Sequence, residues 1–326
     1  MLLMIQVHIM ELFASDVIFN SRLGKASLFL GGSPVAPVFV LILGYFIAAS
    51  QKNTKQLILR GMQLICLGLL LNIVLNFNLI LSVYKGLFKI DLWHYIFGVD
   101  ILPFAGISII LLAVLKKTLE KSLVFTIVCI GVSAFFGQFL LNYIPGNTVL
   151  KYVSALFYGS VEWSYFPLFP WIIYPLAGFG FYQLKQKTDL KFLNTLAMKV
   201  VFGVLFAVFL VFTIRYAVSV SHNLQLYYHQ DYVFTLWVLA FLAFYGFFVN
   251  ETDKFLGNTV LFKYLKWLGK NVTVIYVIQW IIIGNTATEI YKTVSSPLYL
   301  LFWFFGILLV TSGVGYGVVR VGEKRG

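Results

Sequence analysis

Two side chains near the start of the sequence can handle a proton. His8 and Glu11 stand three residues apart in the apolar run Met4-Ile5-Gln6-Val7-His8-Ile9-Met10-Glu11-Leu12-Phe13. That spacing puts both on one face of a helix. Ionisable groups inside a membrane segment are costly and mark function by default. A carboxylate beside an imidazole can hold it in one tautomer and make it a better general base. Such a base could take the proton of a hydroxyl or amine during acyl transfer. The same pair could relay protons in a transporter, or simply join two helices.

Other polar groups need a position as well. Residues 163–178 read Trp163-Ser164-Tyr165-Phe166-Pro167-Leu168-Phe169-Pro170-Trp171-Ile172-Ile173-Tyr174-Pro175-Leu176-Ala177-Gly178. Each proline removes a backbone donor and can bend a helix. Bare carbonyls at membrane depth are tolerated only against protein or a polar cavity. The stretch is therefore expected to enter as a broken or late-starting helix lining a cavity, with a kinked packing helix as the plainer reading. Gly31-Gly32-Ser33-Pro34-Val35-Ala36-Pro37 marks a second irregular entrance, where small residues allow close backbone approach. Further on, Asn271 could cap a helix, and Tyr276 and Gln279 lie near one face of it.

The elements that position these groups are membrane helices. The 326 residues are 60% hydrophobic and only 11% charged, against about 25% charged in a soluble domain; the mean hydropathy is +0.91. Long unbroken apolar runs argue against a barrel, whose strands alternate. The expected fold is an all-α polytopic membrane protein, one domain over 1–326. Its ten helices fall at approximately 1–19, 33–50, 57–80, 97–115, 122–141, 164–183, 198–219, 232–249, 268–286 and 297–318. Of the 24 Lys and Arg, 17 fall on one set of helix ends; Arg22, Lys25, Lys85, Lys89, Lys151, Arg215 and Lys292 make up the other. The positive-inside rule then places both termini in the cytoplasm. The net charge of +12 is thus mainly a topology signal, with anionic membrane lipid or a phosphorylated cytosolic ligand as secondary partners and no nucleic acid expected. The opposite side collects Asp91, His94, Asp100, Glu162, His222, His229, Asp231 and Glu289, with Trp93, Tyr95, Trp163, Tyr227 and Tyr228. Acceptors beside rings suit a sugar; an interfacial aromatic belt is the plainer reading. The loop at about 142–163 could cover a site there.

Several functions find no support. Gly313-Val314-Gly315-Tyr316-Gly317 lacks the strand-turn-helix context of a dinucleotide loop. His222 and His229 have no ligand spacing suited to zinc, so no metal is expected. Cys66 and Cys129 read as small apolar residues. No hydrolase elbow is present. Residues 1–19 carry Glu11 and Asp16 and no basic leader, so they read as a retained helix, not a signal peptide.

The sequence does resemble a family. Residues 28–45, with Gly-Gly-Ser-Pro-Val-Ala-Pro and Phe-Val-Leu-Ile-Leu-Gly-Tyr, are similar to the second core helix of transmembrane acyltransferases, including bacterial relatives of heparan-alpha-glucosaminide N-acetyltransferase. Residues 57–64, 100–107, 165–178 and 268–279 fit the same pattern, so the resemblance spans most of the chain. It implies transfer of an acyl group, often acetyl, from acyl-CoA as co-substrate to a carbohydrate, glycolipid or other polar acceptor. It makes His8 the first-helix histidine and Arg60 a contact for coenzyme A phosphates. Two departures stand out. The Asp and Arg-Gly pair usual ahead of that histidine is not in the sequence, and the native start is expected upstream. Gln279 also stands where relatives often carry histidine; it can hydrogen-bond but not act as a base.

The reading is a cytoplasmic-membrane acyltransferase. His8 is general base, oriented by Glu11, with Arg60 on the donor. Asp100, Trp163, Tyr165, Trp171, Asn271, Tyr276 and Gln279 are its substrate contacts. A proton-coupled transporter or flippase is the alternative, and an inactive scaffold a third reading. No motif names the acyl group or acceptor, and the oligomeric state is left open.

Overall fold

The computed structural model describes residues 1–159, 161–189, 192 and 195–323. Ser160 of the long loop and Lys191, Lys324 and Arg325 of the basic set lie outside them. Among the described residues the chain is helical, with two isolated bridges, Ala14–Val294 and Val99–Ser164. This is an all-α polytopic membrane protein. Among the described residues, eight segments are long and apolar enough to cross a membrane: Arg22–Ala49, Thr54–Leu75, Ile101–Lys121, Leu123–Leu140, Leu196–His222, Tyr232–Leu256, Val272–Ile290 and Pro297–Glu323. The other two expected spans are shorter helices, Leu2–Leu12 and Ile173–Lys187.

Several boundaries differ from expectation. The first helix stops at Leu12 instead of near 19. Its end carbonyls, which no helix can satisfy internally, are taken by another segment: Lys292 N–H donates to Leu12 O and Val294 N–H to Phe13 O, both at 2.9 Å. The second span begins earlier, at Arg22, because Ser21 caps it by accepting from Gly24 N–H at 3.2 Å. Only Ser33 and Pro34 separate its Arg22–Gly32 and Val35–Ala49 pieces. The ninth span is two helices, Val260–Lys270 and Val272–Ile290, meeting at Asn271. The proline-rich stretch behaves as its composition dictates. A turn at Leu168–Trp171, with Phe169 extended inside it, precedes a helix that starts only at Ile173.

Contacts divide the chain into two compact units. The first comprises Met1–Val35, Leu71–Ile96 and Tyr245–Gly326. In it the Leu2–Leu12 helix packs on Arg22–Gly32, Val272–Ile290 and Pro297–Glu323. Gly31 permits the tight crossing, since a Cβ there would stand 2.2 Å from Val7 Cβ. Gln6 locks it, donating to Ser27 O at 2.9 Å and accepting from Ser27 Oγ at 2.7 Å. Lys292 Nζ also reaches Asp16 at 2.9 Å.

The second unit comprises Ala36–Leu70 and Phe97–Phe244. The helix Ile173–Lys187 packs on Leu123–Leu140. A Cβ at Gly178 would lie 1.9 Å from Leu41 O, and one at Gly44 1.8 Å from Pro175 O. Gln183 ties the helix ends together, donating to Leu119 O and accepting from Thr126 Oγ1.

Candidate functional site

In the first unit, His8 is half-buried and its ring lies against the indole of Trp280, with centroids 4.0 Å apart and planes tilted by 32°. The neighbouring Gln279 is fully buried. Four shielded polar atoms here have no hydrogen-bond partner: His8 Nδ1, Trp280 Nε1 and both amide atoms of Gln279. Leaving a buried polar group unpaired costs about 1–3 kcal/mol. Three residues of this unit carrying that cost make it a candidate ligand site. Tyr276, one turn before Trp280, is buried and makes a ring contact with it at 6.4 Å. Glu11 follows His8 on the same helix and is half-buried. Thr311, buried on the helix Pro297–Glu323, adds another unpaired hydroxyl to this unit.

The structure therefore brings His8, Tyr276 and Gln279 into one unit, with Trp280 in contact with the imidazole. Asn271 has a different part. Its amide bonds back to Trp267 O at 3.0 Å and does not cap the following helix. It shapes the break between two helices.

The remaining predicted contacts lie in the second unit. Asp100 caps the helix Ile101–Lys121, accepting from Ile101 N–H at 2.7 Å. Trp163 and Tyr165 flank a short parallel pairing, in which Val99 N–H donates to Trp163 O at 2.8 Å and Phe166 N–H to Val99 O at 2.9 Å. Trp163 stacks on Tyr152 at 5.2 Å and packs on the small cluster of Val99, Ala155 and Val161. Tyr165 stays 39% exposed beside Tyr228. Trp171 is fully buried and donates its N–H to Tyr228 O at 2.8 Å. It is a satisfied core residue that holds the turn in place.

His229 fastens the same loop. A carbonyl can only accept, so its Nε2 carries the proton donated to Ser164 O at 2.8 Å, and Nδ1 accepts from Gln225 at 2.8 Å. Burial pushes its pKa below the usual histidine value, opposed by the Ser164 bond. A Cβ at Gly159 would meet His229 Nε2 at 2.7 Å. Deeper in this unit Tyr174 donates its hydroxyl to Gln230.

A third feature of chemical interest is a cavity of about 740 Å³ in the second unit. Its lining includes Lys52, Lys55, Lys116, Lys117 and Lys187 against a single carboxylate, Glu120. Lys116 is committed: it donates to Ser50 O and lies 3.6 Å from Glu120. Arg60 is exposed and not in this lining. Five residues on from Lys55, it points about 140° round the helix.

Trp280 and the lysine cavity were not singled out by sequence reasoning. Trp280 carries a readable signal, being one turn beyond Tyr276 in a helix already rich in polar groups. The lysines were read mainly as a topology marker, with a phosphorylated ligand as a secondary partner and no site for it. No group of three or more His, Cys, Asp or Glu that could hold a metal occurs among the described residues.

No curated protein and no solved structure matches the chain. A family model described as an acyltransferase domain matches residues 1–316, nearly its whole length. With eight helices long and apolar enough to cross a membrane among the described residues, the chain belongs to the acyltransferase domain family and is a multi-pass membrane acyltransferase.

Proposed function

We propose that this enzyme moves an acyl group, acetyl in the simplest case, from acyl-CoA to a hydroxyl or amine of an envelope carbohydrate or glycolipid. It would do so in the cytoplasmic membrane with both termini cytoplasmic, as a bacterial relative of heparan-alpha-glucosaminide N-acetyltransferase. The observation that carries the reading is His8: an imidazole in an apolar helix, braced by Trp280, with Nδ1 unpaired. A braced base with an open nitrogen is what deprotonating an acceptor requires.

The steps follow from that geometry. His8 takes the proton of the acceptor hydroxyl as its oxygen attacks the thioester carbonyl carbon. The tetrahedral adduct collapses, the carbon–sulfur bond breaks, and the departing sulfur takes the proton back from His8. Glu11 orients the imidazole. Tyr276 and Gln279 contact substrate beside it. Separately, the lysine cavity of the second unit offers several cations to a phosphate-bearing ligand such as a coenzyme A thioester, the kind of contact first given to Arg60. In the second unit, Trp163 and Tyr165 present rings to a sugar, while Asp100 and Trp171 hold their loop.

Acyl-CoA-dependent labelling of envelope glycans tests the proposal. A labelled glycan or glycolipid should appear in cells expressing the protein and vanish on deletion of its gene. Labelling that is the same in both strains would refute it.

A further inference from the structure

Two unpaired groups of opposite need meet in the first unit. His8 Nδ1 is open for a proton, and the Trp280 N–H is a shielded donor with no acceptor. Their rings are 4.0 Å apart. A packing tryptophan normally finds an acceptor when its N–H is buried, as Trp171 and Trp237 do here, at 2.8 Å each. The Trp280 N–H has none. Its indole face fixes the imidazole, but that job needs only the ring. The N–H is left for something else.

We propose that Trp280 is a catalytic hydrogen-bond donor: its Nε1–H binds the thioester carbonyl oxygen and stabilises the negative charge that develops there. This rests on the acyl-transfer reading above. Acyl transfer needs a base for the nucleophile's proton and a donor for the carbonyl oxygen, within one small space. As the acceptor oxygen attacks, its proton passes to His8 and the carbonyl π electrons move onto oxygen. That oxygen accepts from Trp280. When the carbonyl re-forms, the carbon–sulfur bond breaks, the sulfur leaves with the proton from His8, and the indole bond weakens. A preorganised donor in a water-poor setting is worth far more than one in solvent. Gln279, adjacent and unpaired, orients the rest of the acyl donor.

The test uses the full chain in proteoliposomes and two substitutions that keep an aromatic ring while deleting the donor. Trp280→Phe is one. The other places benzothienylalanine at 280 by stop-codon suppression, so that sulfur replaces N–H in an otherwise matching ring. Thiol release from acetyl-CoA is followed with a mixed extract of envelope glycans and glycolipids as acceptor, so no single carbohydrate need be known. The expected result is a fall in kcat of about a hundredfold in both variants. KM for acetyl-CoA and the pH profile should be unchanged, since His8 remains braced. Wild-type kcat in the benzothienylalanine protein overturns the donor role, even where Trp280→Phe is slow. A wild-type enzyme that releases no thiol overturns the acyl-transfer reading itself, and the donor role with it. A changed pH profile in the benzothienylalanine protein assigns Trp280 to bracing His8 and overturns its role as donor.

Discussion

At the scale of single residues, the site is a set of polar atoms whose needs the protein itself does not meet. Gln279 offers the sharpest distinction. A buried amide that served packing would have partners, and removing it would destabilise the fold. Here both amide atoms are buried and unpaired, so replacing them with apolar atoms of similar shape relieves a penalty of about 1–3 kcal/mol. Gln279→Met is therefore expected to melt at the same or a higher temperature than wild type while losing at least about tenfold in acyl transfer, or about 1.4 kcal/mol. Lower stability with full activity would make Gln279 a packing residue. The sequence exposed this site unevenly. His8, Tyr276 and Gln279 stood out because polar side chains are conspicuous in apolar helices. Trp280 did not, because a tryptophan in a membrane helix is unremarkable until its N–H is found without an acceptor. Trp171 erred the other way. Its place among prolines suggested a substrate contact, yet a buried indole donating to Tyr228 O is a core residue, and only the fold reveals that bond.

At the scale of elements, eight of the ten expected spans were legible because each span needs about 20 apolar residues and each gap carries charge or turn formers. Helix ends were not. The stop at Leu12 depends on Lys292 and Val294, some 280 residues away in sequence, and no local pattern encodes such a partner. Two predictions belong here. Gly44 and Gly178 let the helices Val35–Ala49 and Ile173–Lys187 meet backbone to backbone. Gly44→Val or Gly178→Val forces them apart and should cost about 1–3 kcal/mol or more, read as a lower melting temperature in detergent and reduced yield of folded protein. Serine or alanine should do less harm, in order of size. The second concerns His229. Its pKa in the folded protein is depressed by burial, so the unfolded chain binds the proton more tightly. Stability is then full above the ordinary histidine value of about 6.5 and declines as pH falls below it. Thermal unfolding between pH 8 and pH 5 should show that decline, and His229→Gln should flatten it. An equal slope in the variant would assign the decline to another group.

At the scale of the whole molecule, composition dictated a membrane bundle, and the family match makes it an acyltransferase. The charge count pointed to a phosphorylated ligand as a secondary partner but not to where it would bind. Basic residues near helix ends orient a membrane protein wherever they lie, but Lys52, Lys55, Lys117 and Lys187 also line one cavity. That convergence needs three separate chain segments and cannot be read from spacing. A double reversal, Lys52→Glu with Lys187→Glu, should raise KM for acetyl-CoA at least about tenfold and steepen its dependence on salt less than in wild type, because fewer phosphate contacts remain to be screened. An unchanged KM would remove the cavity from the donor path. The central claim is that His8 is the base that starts the transfer. Radiolabelled acetyl transfer from acetyl-CoA in proteoliposomes, comparing wild type with a folded His8→Ala protein, tests it most directly. The account predicts a loss of about 10²–10⁴-fold in the variant; equal transfer by the two proteins would contradict it.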